Sequence, residues 1–244
     1  MRDNFIRVAA ATPEIKVADV AYNKEQICAC VEEAAARKAK IIVLPELCLT
    51  GYTCNDLFLQ TPMLEAAKEA LLELAAYSAD KDVLMAVGLP YEVRNRLYNA
   101  AALICRGKLL AMVTKTHLPM YSEFYETRHF APGPEAVEWI RIQNAAGEWE
   151  DIPFGSKILL ECDTVPGLVV AAEICEDVWA PNPPSISHAM AGATVIVNPS
   201  ASDETTGKRA YRRQLIGGQS ARLVCGYIYA NAGEGESTEV LVFS

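Results

Sequence analysis

Along the 244 residues, apolar positions fall in short blocks whose spacing changes from one block to the next. Residues 5–11 read as a first strand. From 23 to 39 apolar positions return at helical spacing, with Ile27, Val31, Ala34 and Ala35 on one face, which predicts a helix. Ile41-Ile42-Val43-Leu44 is an unbroken apolar run within 40–44, a short buried strand stopped by Pro45-Glu46. Thr61-Pro62 opens a second helix over 61–79, threonine as cap and proline at the first position. A strand follows over 83–89. Residues 97–105 and 108–114 flank Arg106-Gly107 as a hairpin.

The segment 121–134 is polar and aromatic with no clean period, an ordered loop or short helix. A second hairpin over 139–152 turns around Asn144-Ala145-Ala146-Gly147. Strands over 157–162 and 168–174, a short helix over 185–191, a strand over 193–197, a helix over 208–224 and a strand over 226–231 complete the pattern. One more strand begins at 239, and the chain stops inside it, at Val242-Phe243-Ser244, as a fragment would. There is no repeat, low-complexity tract or linker. Alternating strands and helices with hairpins between them predict one α/β domain over 1–244, with a mixed sheet or a pair of sheets.

Composition narrows the class. Hydrophobic residues make up 51% and charged residues 22%, enough for a large core and too little charge for global disorder. The formal net charge is -9 with no basic stripe, which argues against a nucleic-acid partner. No stretch reaches the roughly 18 apolar residues that span a bilayer. Met1-Arg2-Asp3-Asn4 has no signal-peptide pattern. Eight cysteines lie mostly inside predicted elements, which favours reduced thiols in a cytoplasmic protein. Only Cys28-Ala29-Cys30 approaches a zinc spacing, and two small core residues on one helix are its plainer explanation.

Three sharp strand ends carry complementary chemistry: Leu44-Pro45-Glu46, Thr114-Lys115-Thr116-His117 and Ile174-Cys175-Glu176-Asp177. Strand ends are where α/β proteins gather functional groups. A thiol nucleophile, a carboxylate to take its proton and an ammonium to hold an oxyanion together make an amide hydrolase. Each residue also has a plain reading, as a core thiol, a strand-end cap and a surface lysine. His117, two residues from Lys115, leaves a Cys–His pairing open.

Three stretches resemble the nitrilase, or carbon–nitrogen hydrolase, superfamily in that family's order: Leu44-Pro45-Glu46-Leu47-Cys48-Leu49-Thr50-Gly51-Tyr52, Lys115-Thr116-His117-Leu118-Pro119 and Glu173-Ile174-Cys175-Glu176-Asp177. Further stretches look like the glutaminase domain of glutamine-dependent NAD⁺ synthetase. They are Tyr121-Ser122-Glu123-Phe124-Tyr125-Glu126, Cys175-Glu176-Asp177-Val178-Trp179, Asn198-Pro199-Ser200-Ala201-Ser202, Gly207-Lys208-Arg209-Ala210-Tyr211-Arg212-Arg213 and Tyr229-Ala230-Asn231-Ala232-Gly233.

The resemblance implies a four-layer α-β-β-α sandwich. It also implies roles: Glu46 as general base, Lys115 as oxyanion stabiliser, Cys175 as nucleophile and Glu123 as the supporting glutamate that orients lysine or substrate. The family's glutamine-binding positions fall on Tyr121, Ser202 and Lys208. For that zwitterion Glu176 would meet the α-ammonium and Tyr52 would line the pocket, while Trp179 reads either as a pocket wall or as a packed aromatic. The activity implied is release of ammonia from glutamine through a γ-glutamyl thioester, for a C-terminal synthetase domain that amidates deamido-NAD⁺. That domain, with its ATP and Mg, is absent from this sequence, and no cofactor is expected here. A stand-alone amidase and a catalytically idle docking domain are the alternatives. Superfamily members commonly self-associate, so a homo-oligomer is expected.

Overall fold

The computed structural model describes residues 5–144, 146–237 and 241–243. In chain order the elements are β1 (Val8–Ala10), α1 (Val20–Ala36), β2 (Ile41–Val43), α2 (Thr61–Tyr77), β3 (Leu84–Val93), β4 (Arg96–Cys105), β5 (Lys108–Thr114), β6 (Glu138–Gln143), β7 (Trp149–Phe154), β8 (Leu159–Glu161), β9 (Val169–Ala172), α3 (Pro184–Met190), β10 (Val195–Ser200), α4 (Lys208–Leu223) and β11 (Gly226–Asn231). Short 3-10 turns cover Tyr52–Leu59, Ser78–Asp80, Glu126–Arg128 and Cys175–Val178.

The strands form two mixed sheets, seven strands in the order β1-β2-β3-β4-β5-β7-β6 and four in the order β11-β10-β9-β8. Alternation within each strand decides what lies on either side. In β2, Ile42 faces one way, into a core shared with Ile27 and Val31 of α1 and Leu71 and Leu74 of α2. Ile41 and Val43 face the other way. With Ala86, Leu103, Ala111 and Val113 they meet Ile158, Val170, Ala172, Val197, Ile228 and Ala230 of the second sheet and its approach. The outer face of that sheet packs Ala171 and Ile196 against Ala189 of α3 and Leu223 of α4. The layers therefore run helices, sheet, sheet, helices, the four-layer order expected. Each Ile, Val or Leu buried in the middle layer contributes roughly 1.5–3 kcal/mol.

Several boundaries differ from the sequence reading. The first helix begins at Val20, not at residue 23, because the Asp19 carboxylate caps it by accepting the Tyr22 N–H at 3.1 Å. Asn23 turns inward instead and ties Lys16 and Leu49 backbone groups to the helix. The helix ends at Ala36, two residues before Lys38 takes φ 61°. β3 and β10 run past the ends expected at 89 and 197, through Pro90 and Pro199. Each proline lies beyond the last residue paired to one neighbouring strand, β2 for Pro90 and β9 for Pro199. A missing N–H is tolerated at such an edge. The strand expected over 168–174 stops at Ala172 and gives way to the turn that carries Cys175. Of the strand expected from 239, only 241–243 are described, with a bridge from Asp203 to Phe243. Residues 1–4, 238–240 and 244, and Ala145 of the predicted 144–147 turn, lie outside the described residues.

Candidate active site

The middle of the site is a buried lysine between two glutamates. Lys115 follows β5 directly, and its Nζ donates to Glu46 Oε1 at 2.6 Å and to Glu126 Oε1 at 2.5 Å. Neither Lys115 nor Glu46 side chain is exposed at all. Glu46 Oε1 also accepts from Asn99 Nδ2 at 2.7 Å, and its Oε2 accepts the Ala201 N–H at 3.0 Å. Asn99 lies in β4 of the seven-stranded sheet and Ala201 follows β10 of the other, so Glu46 ties the two sheets together. Glu126 Oε1 takes a further bond from the Tyr52 hydroxyl at 2.8 Å, and Asn99 reaches Glu126 Oε2 at 3.4 Å.

Burial works against the charge of Lys115, but the Glu126 and Glu46 carboxylates outweigh it and hold its pKa well above the ordinary value. Burial pushes Glu126 up to about 7, with Lys115 pulling the other way and Glu46 adding to the rise.

Cys175 stands at the sharp turn after β9, at φ 43°. A non-glycine residue there stores strain of order 1–3 kcal/mol. Its N–H donates to Asn198 Oδ1 at 3.1 Å, and Asn198 Nδ2 in turn donates to the Tyr227 hydroxyl. Burial and then the Glu46 charge raise the Cys175 thiol well above its ordinary pKa. Lys115, the Ser200 hydroxyl and the Ala201 backbone act in the opposite sense. The resting side chain is thus a neutral thiol within the field of both Glu46 and Lys115.

Cys175 opens onto a cavity of ≈ 400 Å³, within the range of small-molecule sites. Of the residues expected in the site, Tyr52, Tyr121, Glu123, Glu176, Ser202 and Lys208 line it with Cys175, as do Trp179 and Asp203, while Glu46 and Lys115 are not among its lining residues. The Tyr121 hydroxyl bonds both Glu176 oxygens, at 3.1 and 3.0 Å. Lys208 is paired with Asp203 and stands 5.7 Å from the Phe124 ring centre and 5.8 Å from that of Trp179. Ser202 is fixed by a two-way exchange with Asn231, at 2.8 and 2.9 Å. No histidine lines this cavity among the described residues. His117 contributes its backbone N–H to Asp177, and His129 bonds Asp56.

Of the two tasks expected of Glu123, orienting the lysine or the substrate, the first falls to another residue. The carboxylate bonded to Lys115 is Glu126, not Glu123. Glu126 sits in a 3-10 turn that carries it inward to 4% exposure, whereas Glu123 lies half-buried on the cavity wall beside Ser122, Asp203 and Lys208. The two are three residues apart in a segment without a period, so spacing offered no way to choose. Sequence reasoning also passed over Asn99, Asn198 and Asp203. Asn99 had a signal, as the lone amide leading the apolar run Ala100-Ala101-Ala102-Leu103-Ile104.

The sequence profile of the carbon-nitrogen hydrolase family matches residues 7–233. The chain belongs to that family. It is 43% identical over 243 residues to a glutamine-dependent NAD(+) synthetase of Mycobacterium bovis, covering 98% of this chain and 34% of that protein. With the synthetase of Aquifex aeolicus the identity is 33% over 239 residues, 98% of this chain and 37% of that protein. The chain thus spans about a third of the length of these curated relatives. The solved glutamine-dependent NAD(+) synthetase of Cytophaga hutchinsonii superposes with a TM-score of 0.85 at 32% identity, over 98% of this chain and 37% of that one. An amidase from Nesterenkonia sp. shares the fold, with a TM-score of 0.74 at 20% identity, over 100% of this chain and 81% of that one. Carbon–nitrogen hydrolases act on C–N bonds, and the buried thiol, carboxylates and ammonium of this member supply groups suited to that reaction.

Proposed function

We propose that this protein releases ammonia from the side-chain amide of glutamine. One observation carries the reading: the cavity that Cys175 opens onto also holds a carboxylate, Glu176, and an ammonium, Lys208, the two charges that a free amino acid's head group requires. The 43% identity to a glutamine-dependent synthetase over 98% of this chain supports the same substrate. Lys208 pairs with the α-carboxylate, Glu176 and Tyr121 receive the α-ammonium, and Ser202 contacts the head group. Tyr52 and Trp179 close the walls.

The chemistry follows from the groups in place. Cys175 rests as a thiol, so its proton passes to Glu46 as sulfur attacks the amide carbon. The carbonyl oxygen takes up the electron pair and is held by the Lys115 ammonium and the Glu176 backbone N–H. As the C–N bond breaks, Glu46 returns the proton to nitrogen, ammonia leaves and a γ-glutamyl thioester remains. Glu46 then takes a proton from water, the hydroxide adds to the thioester, and collapse gives glutamate and the free thiol. Glu126 keeps Lys115 in place throughout. In the longer relatives' setting the ammonia serves a C-terminal synthetase domain that uses ATP and Mg, in a cytoplasmic assembly of several copies.

A panel of primary amides tests the proposal by ammonia release. Glutamine is expected to be the preferred substrate, and Cys175→Ala is expected to abolish turnover with the far-UV dichroism unchanged. An alanine variant that turns over at the parent rate, or a parent that ignores glutamine while hydrolysing simpler amides, contradicts it.

A further inference from the structure

Asp177 takes no part in the mechanism above, yet it is fully buried. Among the described residues it has no ion-pair partner. Its carboxylate is spent on backbone. Oδ1 accepts the His117 N–H at 2.7 Å and the Thr116 N–H at 3.1 Å, and Oδ2 accepts the Ile174 N–H at 2.9 Å. Thr116 and His117 are the residues just past Lys115, at the end of β5 in the seven-stranded sheet. Ile174 is the residue just before Cys175, beyond β9 in the four-stranded sheet. The Asp177 N–H bonds the Ile174 carbonyl at 3.0 Å, which closes the turn on itself.

We propose that Asp177 is a positioning residue: its single buried carboxylate staples the backbone behind Lys115 to the backbone ahead of Cys175, and so sets where the thiol stands relative to the ammonium. The inference rests on the roles proposed for those two residues and adds the device that holds them in register. Glu46 also links the two sheets, through Asn99 and Ala201, but Asp177 bonds backbone next to both Lys115 and Cys175, which lie at the ends of different sheets with no strand ladder between those sheets among the described residues. Both carboxyl oxygens of Asp177 accept backbone N–H groups here. An amide has only one accepting oxygen, and its NH₂ would face an N–H. The site tolerates little slack: Cys175 is already held at φ 43°, and a misplacement of about 1 Å in an active site costs on the order of 100-fold in rate.

The test compares the parent with Asp177→Asn and with Leu71→Ala, a core truncation in α2 that lines no part of the cavity. Three quantities are read: alkylation of Cys175 by iodoacetamide per folded molecule, followed by peptide mass spectrometry; kcat and KM for glutamine; and Tm. Asp177→Asn is expected to alkylate Cys175 at least about tenfold more slowly and to lose about 100-fold in kcat with KM little changed. Leu71→Ala is expected to lower Tm while its alkylation rate per folded molecule stays that of the parent. If Asp177→Asn lowers only Tm, and both rates per folded molecule match the parent, the staple is merely structural and the inference is overturned. A parent whose Cys175 alkylates readily, but which releases ammonia from no amide, removes the hydrolase reading instead. The alkylation comparison still decides the staple in that case.

Discussion

Lys115 donates to Glu46 and Glu126 where water does not reach, so its ammonium is what lets two carboxylates stand side by side. The two are not equivalent. The Glu46 charge bears on the Cys175 thiol and Glu46 is anchored by the Ala201 N–H, while Glu126 is anchored by Tyr52. Replacing Glu126 by Gln keeps an oxygen for Lys115 but removes the charge that holds it and turns an NH₂ toward Asn99. Glu126→Gln is therefore expected to lower kcat by about 100-fold at nearly unchanged KM, whereas Glu123→Gln, on the cavity wall, raises KM more than it lowers kcat. Steady-state ammonia release separates the two, and the opposite pattern would return the supporting role to Glu123. At this scale the sequence was legible where a residue closes a strand, as at Glu46, Lys115 and Cys175. It was illegible at Glu126, whose inward turn depends on packing that spacing does not encode.

The elements explain why Glu46 can reach the centre. Its loop crosses β3 so closely that a Cβ on Gly88 would stand 2.3 Å from the Leu47 nitrogen and 2.4 Å from the Pro45 oxygen. Backbone cannot yield as a flexible side chain does. Gly88→Ala is expected to cost about 1–3 kcal/mol and to lower kcat as well, because the displaced loop carries Glu46. Chemical denaturation and ammonia release measure both effects, and a variant with parent stability and rate would show that the loop is not held there. Element order and most strand positions could be read from apolar runs, and the hairpin around Arg106-Gly107 came out as expected, between β4 and β5. The errors cluster where one polar residue has a tertiary task. Asn23 looked like a helix start and is an inward tie. The strands expected over 83–89 and 193–197 run on through Pro90 and Pro199, each beyond its pairing with one neighbour, which local sequence does not mark.

For the whole molecule, the two sheets meet through an apolar layer and leave several carboxyl groups buried near its rim. Burial raises Glu126 and Asp177 to about 7 and Glu236 to about 8. Glu173 and Glu176 shift in the same direction for the same reason. From about pH 4 to pH 8 the folded protein therefore holds protons that the unfolded chain has released. Stability from these groups is full below their unfolded values and is lost as pH rises through the folded ones, by up to about 1.4 kcal/mol per pH unit for each group. His188, buried and lowered, works the other way below its ordinary value. The exposed Asp56, lowered by Arg128 and His129, acts only at more acid pH. Tm is expected to be highest in mildly acidic solution and to fall toward pH 8. Glu236→Gln keeps the oxygen that accepts the Tyr52 and Thr53 N–H groups and should flatten the upper part of that fall. A parent Tm that climbs steadily from pH 5 to 8 would contradict the assignment.

The proposed action of Cys175, Glu46 and Lys115 together on glutamine is most directly tested by mass spectrometry after exposure to an electrophilic analogue of glutamine. The expected result is a single adduct on the peptide containing Cys175, formed more slowly when glutamine is present. A folded protein left unmodified at Cys175, or modified there at a rate that glutamine does not slow, would contradict the account.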